Sequence, residues 1–269
     1  MLKRWGLEHC KSRPLPMSAN TDLASLPLLD QPDAAVVSVY SSLVGELIFI
    51  AGNSVPELAF YVHSLSRYMQ NATEAHFAYA KGLLRYLQGA KDRFITWGGL
   101  NCRSPHTLCQ IWSCADASFA DVKPARKSTM MYLLFVNNAV FSWRSALSSV
   151  IATSTCEAEL YAYCAAAQEV VWARRLASEL GFTQRGPTPI YQDNEGTIKL
   201  AEKMHLRNRS KHIAYRFSFV QHLYQLGVIQ PVKCSSAAQH ADPGTKCTSE
   251  AVFTQHIPYW RGEIKGQPE

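Results

Sequence analysis

The stretch that most constrains this chain runs from Cys109 to Gly181. It opens with CQIWSCAD, an apolar run that closes on an acid, and continues with two further apolar runs, STMMYLLFV and AVFSWR, parted by Asn137-Asn138. Paired asparagines accept the positive φ angles of a two-residue turn, so the two runs predict a β-hairpin. Ser154-x-x-Glu157 then forms a capping-box signal, which leaves Glu157 partly exposed, and Gly181 stands where the long helix that follows should stop. A strand ending near Asp116, a hairpin and a long helix make this region a mixed α and β domain.

The flanks extend the pattern. TPIYQD reads as a short strand feeding the helix NEGTIKLAEK, a further helix covers roughly 211–226 up to Gly227, and VIQPVKC is the last strand. Pro231 inside that strand cannot donate to a ladder and places it at a sheet edge. Upstream, residues 1–38 lack periodicity and read as a connector. Residues 39–93 read as helical: Pro56 and Glu57 suit a first turn, Asn71-x-x-Glu74 is a cap signal for HFAYAKGLLRYL, and Gly89 can end that helix. The main domain is then expected over 94–258, with a tail over 259–269.

Composition adds bounds. With 47% hydrophobic residues in 269, the chain can bury one good core and a smaller satellite. Its net charge of +6 suits a polyanion partner without requiring one. None of the eight cysteines forms a Cys-x-x-Cys pair or takes zinc-finger spacing, which argues for a reducing compartment. No signal-peptide pattern follows the basic start, and the apolar runs read as too short to span a bilayer, so a soluble intracellular protein without a membrane partner is expected. Lys81, Arg85 and Lys91 read as a solvated helix face.

Chemistry concentrates in the carboxylates. Of eight Asp, Asp116 falls in an apolar strand and Asp193 at a strand-to-helix junction, where open α/β sheets bind ligands. Asp242 precedes Pro243 and can cap a short terminal helix. On the long helix, Glu159 shares a face with Ala162, Tyr163, Ala166 and Val170, a small apolar face suited to packing on a sheet. If that helix crosses the central strands, Glu159 meets Asp116 and Asp193, and converging carboxylates suit Mg²⁺ or Mn²⁺. Two such ions serve phosphodiester hydrolysis.

At these residues the sequence resembles the ribonuclease H domain of copia-type retrotransposons, over nearly the whole chain. The matching segments are Ala115-Asp116-Ala117-Ser118-Phe119-Ala120, Lys127-Ser128-Thr129, Ser142-Trp143-Arg144-Ser145, STCEAELYA at 154–162, YQDN at 191–194, Arg209-Ser210-Lys211-His212-Ile213 and ADPGTK at 241–246. MLKRWGLEHCKSRPLPM resembles the end of a reverse-transcriptase region, and the helices after it resemble the connection that follows. The resemblance implies an α/β RNase H-like fold, a mixed five-stranded sheet flanked by helices and preceded by a small helical connection region. It places the first and fourth strands side by side and the fifth at an edge. It further implies that Asp116, Glu159, Asp193 and Asp242 are the catalytic, metal-binding quartet, that two Mg²⁺ or Mn²⁺ ions are the cofactors, and that the RNA strand of an RNA–DNA hybrid is cut. The reverse-transcriptase portion of the same polyprotein would be a partner, in the cytoplasm, within virus-like particles or in the nucleus.

Lys123, Arg126, Lys127, Arg209 and Lys211 are candidate phosphate contacts, and His240 reads as an incidental loop histidine close to Asp242. The chain departs from the family at Ser118, where an acid is common, at Cys156 in place of Thr, at Ala214, and at Pro243-Gly244, which would shorten or displace the helix carrying Asp242. No Asp-Asp dipeptide occurs, so a polymerase site is not expected. The alternative is a catalytically inactive RNase H-like remnant with a nucleic-acid-binding or structural role. An integrase-type nuclease fits less well, because its acids run Asp-Asp-Glu and here the Glu comes second.

Overall fold

Asn137 and Asn138 adopt φ angles of 49° and 70°, the double positive φ of a type I′ turn. They join β2 (Lys127–Val136) to β3 (Ala139–Leu147). The computed structural model describes residues 1–28, 31–98, 109–202 and 211–268. They fall into two units, Met1–Phe94 with Lys246–Ile257, and Ile95–Thr245 with Pro258–Glu269.

In the second unit, β1 (Ile111–Val122) pairs antiparallel with β2, which pairs antiparallel with β3. β1 also pairs parallel with β4 (Thr188–Gln192), which in turn pairs parallel with β5 (Ile229–Lys233). The sheet order is β3-β2-β1-β4-β5, the mixed five-stranded sheet with flanking helices that the resemblance implies. First and fourth strands are neighbours, and β5 with Pro231 lies at the edge. β1 does not end near Asp116 as expected. Ala117 and Ser118 keep register with Met130 and Thr129, and the strand bends only at Ala120, where φ is 51° and the register shifts. Asp121 secures the bend by accepting hydrogen bonds from Thr129 N at 2.8 Å and Thr129 Oγ1 at 2.7 Å.

α4 (Thr155–Glu179) begins at Ser154, whose hydroxyl accepts from Glu157 N at 3.2 Å. Leu180 follows, and Gly181 at φ 86° ends the run. The reciprocal half of the capping box is replaced: the Glu157 carboxylate accepts from Thr153 N at 2.7 Å, and from the Thr153 and Tyr161 hydroxyls. These donors enclose it, so Glu157 is buried rather than partly exposed. Ala162, Ala166, Val170, Ala173 and Ala177 line the buried face of α4, in one core with Ile111, Ala115, Leu134 and Ile190. Such short side chains let the helix lie close on the sheet. α5 (Glu195–Glu202) and α6 (Lys211–Gln225) follow, and α6 adds Val220 and Leu223 to the same core.

Asp242 does not cap a terminal α-helix. It opens a 3-10 turn, Asp242–Gly244, and α7 (Glu250–Arg261) starts further on. Gly244 lies close against Met131: a Cβ would sit 2.6 Å from Met131 Cγ, so the Met131 side chain would have to shift. Gln239 ties the preceding loop to the sheet through Nε2 to Ala115 O at 2.9 Å.

In the first unit, α1 (Ala34–Asn53) packs on α2 (Ala59–Ser66) and α3 (Glu74–Ala90). The helix starts inside the expected connector, because Asp33 caps it through Ala35 N at 2.8 Å. By length and composition α1 could cross a membrane, which the sequence reading did not allow for. Here its Tyr40, Leu43, Val44 and Leu47 are buried, and the Tyr40 hydroxyl donates to Leu65 O at 2.7 Å. α3 is capped by Thr73 with His76, not by Asn71. The helix also runs through Gly89, where Ser12 approaches closely enough that a Cβ would lie 3.0 Å from it.

Candidate metal centre

Asp116, Glu159 and Asp193 converge. One carboxylate oxygen from each lies within 4.8 Å of the others. Asp116 comes from the middle of β1, Glu159 from the second turn of α4, and Asp193 from the residue after β4. Strand alternation and helix register bring them together: Glu159 sits on the small-residue face of α4, which lies over β1. Asp116 and Glu159 are buried, at 6% and 7% exposure, whereas Asp193 is half-buried.

Each carboxylate is held by neutral donors. Thr245 Oγ1 donates to Asp116 Oδ2 at 2.7 Å. Gln192 Nε2 donates to Glu159 Oε2 at 3.2 Å, and Ser236 Oγ to Asp193 Oδ2 at 2.8 Å. Among the described residues no Lys or Arg forms a salt bridge with Glu159 or Asp193; Lys233 Nζ instead donates to the Asp193 backbone carbonyl and pairs with Glu195 at 3.8 Å. Burial raises the Glu159 pKa, to about 9, with the negative charges of Asp116 and Asp193 adding to the effect; the donors Gln192 and Ala117 N–H offset part of it. Burial likewise pushes the nearby Cys234 thiol up, to about 12, with Asp193 contributing. Three clustered carboxylates that repel one another form a donor set suited to a hard divalent cation.

Asp242, the fourth residue of the expected quartet, is outside this three-carboxylate group. It is half-buried on its 3-10 turn, with its carbonyl 3.0 Å from Thr245 Oγ1. His240 is buried among Trp112, Phe135 and Tyr259, stacked on the last at 4.3 Å between centroids, a core position rather than an incidental loop one. Lys123 and Arg126 are exposed in the turn between β1 and β2, and Lys127 is half-buried at the start of β2. Arg209 and the Lys211 side chain lie outside the described residues. Gln192, Thr245, Ser236 and Lys233 carry no mark of a site in the sequence. Gln192 and Thr245 stood inside quoted motifs, but no spacing rule marks a neutral side chain as the support of an acid.

No family model matches the sequence. The retrovirus-related Pol polyprotein from transposon RE2 of Arabidopsis thaliana is 30% identical over 268 residues, covering 100% of this chain and 18% of its own length. That from transposon TNT 1-94 of Nicotiana tabacum is 28% identical over 256 residues, covering 94% and 19%. Over most of its length the chain has copia-type Pol polyproteins from transposons among its homologues. The chain spans less than a fifth of the length of these Pol relatives. Among solved structures, LC11-RNase H1 in complex with RNA/DNA hybrid is similar over 49% of this chain and 91% of its own, with 12% identity and a TM-score of 0.38.

Proposed function

We propose that this domain is a divalent-metal-dependent ribonuclease that hydrolyses the RNA strand of RNA–DNA hybrids during reverse transcription of a copia-type retrotransposon. The convergence of Asp116, Glu159 and Asp193 within 4.8 Å is the observation that carries the reading. These three side chains would hold the cation, and the quartet reading adds Asp242 for a second ion. A bound Mg²⁺ or Mn²⁺ supplies Lewis acidity at the scissile phosphate and an activated water. The protein's own part is positional: Thr245 fixes one Asp116 oxygen and Ser236 one Asp193 oxygen. The exposed Lys123 and Arg126, with Lys127, contact backbone phosphates, and the wide minor groove of the hybrid is followed with little sequence preference. The reverse-transcriptase portion of the polyprotein is the partner that supplies the hybrid. Residues 39–93 form the connection to it, and 94–258 form the nuclease domain.

A labelled RNA–DNA hybrid incubated with the chain, with and without Mg²⁺ or Mn²⁺ and beside duplex RNA and duplex DNA, tests the proposal. Metal-dependent cleavage of the hybrid's RNA strand alone is expected. The position of Asp242 outside the three-carboxylate group favours a second reading, an inactive domain that binds nucleic acid. Hybrid binding with no cleavage in either metal would establish that reading instead.

A further inference from the structure

Gln192 is the last residue of β4 and is fully buried. With the two-residue alternation of a strand, it shares a sheet face with Ile190, which packs in the core against α4. A buried amide must find partners for both its ends. Here Nε2 donates to Glu159 Oε2 at 3.2 Å. Oε1 accepts from Asp193 N at 2.8 Å and from Asn194 N at 3.2 Å. Asn194 in turn caps α5, accepting from Thr197 N at 3.1 Å through Oδ1. One side chain therefore spans from the helix that carries Glu159 to the backbone that carries Asp193. Glutamine is suited to this because it donates and accepts at the same tip. A hydroxyl at this position is too short to span the gap, and a carboxylate would set a like charge against Glu159.

We propose that Gln192 is a positioning residue of the carboxylate centre, its buried amide setting the spacing of Glu159 against Asp193 and so the fit of a divalent cation between them. This rests on the metal-centre reading above. Groups that orient metal ligands typically change metal affinity or activity by about 10–100-fold when removed. Gln192→Met keeps the length and apolar bulk and removes both ends of the bridge.

The test is Mn²⁺ affinity of the full chain by titration calorimetry, for wild type, Gln192→Met, Glu159→Gln and the double variant, each checked for a cooperative melt. Mn²⁺ binding by Gln192→Met should weaken about tenfold or more. In the Glu159→Gln background the same change should have little further effect, a non-additivity that loss of general packing would not produce. If Gln192→Met does not melt cooperatively, Gln192→Asn replaces it: one carbon shorter, its amide cannot serve both Glu159 and the backbone, and a loss of about tenfold is expected. Wild-type affinity in the folded variant, equal losses in both backgrounds, or no Mn²⁺ binding by the wild type would each overturn the inference. Wild-type Mn²⁺ binding without hybrid cleavage would sink the nuclease reading alone and leave the role of Gln192 standing on the affinity data.

Discussion

Glu159→Gln separates the cost of the carboxylate cluster from its use. In the fold Glu159 holds its proton up to about pH 9, whereas its ordinary value is 4.5. Between those values the native chain binds a proton that the unfolded chain has released, so stability falls as pH rises through the window. At about 1.4 kcal/mol per pH unit, protonating Glu159 on folding costs about 3 kcal/mol at pH 7 and little at pH 5. The neutral amide of the variant would carry no such cost, at the expense of a partly rearranged contact with Gln192. The metal-free variant should therefore match the wild type near pH 5, exceed it by up to about 3 kcal/mol at pH 7, and gain further towards pH 9. A cation bound at the three carboxylates must displace the Glu159 proton, so wild-type Mn²⁺ affinity should strengthen about tenfold per pH unit below pH 9. Urea denaturation in chelator at pH 5, 7 and 8.5, beside Mn²⁺ titrations at pH 6 and 8, measures both. A stability difference that does not change with pH, or a variant less stable than the wild type at pH 8.5, would refute the reasoning.

Asp116→Asn and Asp193→Asn should each abolish hybrid cleavage while keeping the native circular dichroism spectrum; cleavage at the wild-type rate by either variant removes that residue from the site. Changing Lys123, Arg126 and Lys127 together to Ala should weaken hybrid binding and flatten its salt dependence by about 0.7–0.9 log unit in slope per lost contact. An unchanged slope, read from binding curves at several salt concentrations, would put these side chains off the nucleic-acid path. Glu157→Ala leaves the buried Tyr161 hydroxyl without its acceptor, a loss that costs about 1–3 kcal/mol, and takes a hydrogen bond from the amide of the exposed Thr153. Glu157→Gln should cost less, and both variants should cut hybrid in their folded fraction, as a melt paired with a cleavage assay would show.

Much of the second unit was legible because its signals are local. The Asn137-Asn138 turn, Ser154 at the helix start, Gly181 at its end and Pro231 at the sheet edge each act through the dihedral preferences or hydrogen-bonding capacity of one or two residues. The misread boundaries depended on distant chain. β1 outruns Asp116 because its partner β2 stays in register, α3 takes His76 rather than Asn71 into its cap, and Gly89 accommodates Ser12 instead of stopping a helix.

The site divides the same way. Asp116, Glu159 and Asp193 could be picked out by residue type and position, since an acid in an apolar strand, on a small-residue helix face or at a strand end is costly without a purpose. Sequence alone therefore determined the order of the elements, the turn and cap chemistry, and these three acids. The tertiary structure decided that their oxygens lie within 4.8 Å while Asp242 stays outside that group, that Glu157 is enclosed, and that Gln192 and Thr245 hold the cluster. Local preferences reach only a few residues along the chain. The spacing of the three acids, by contrast, depends on how α4 crosses β1 and β4, and on where a loop more than a hundred residues beyond Asp116 returns to it.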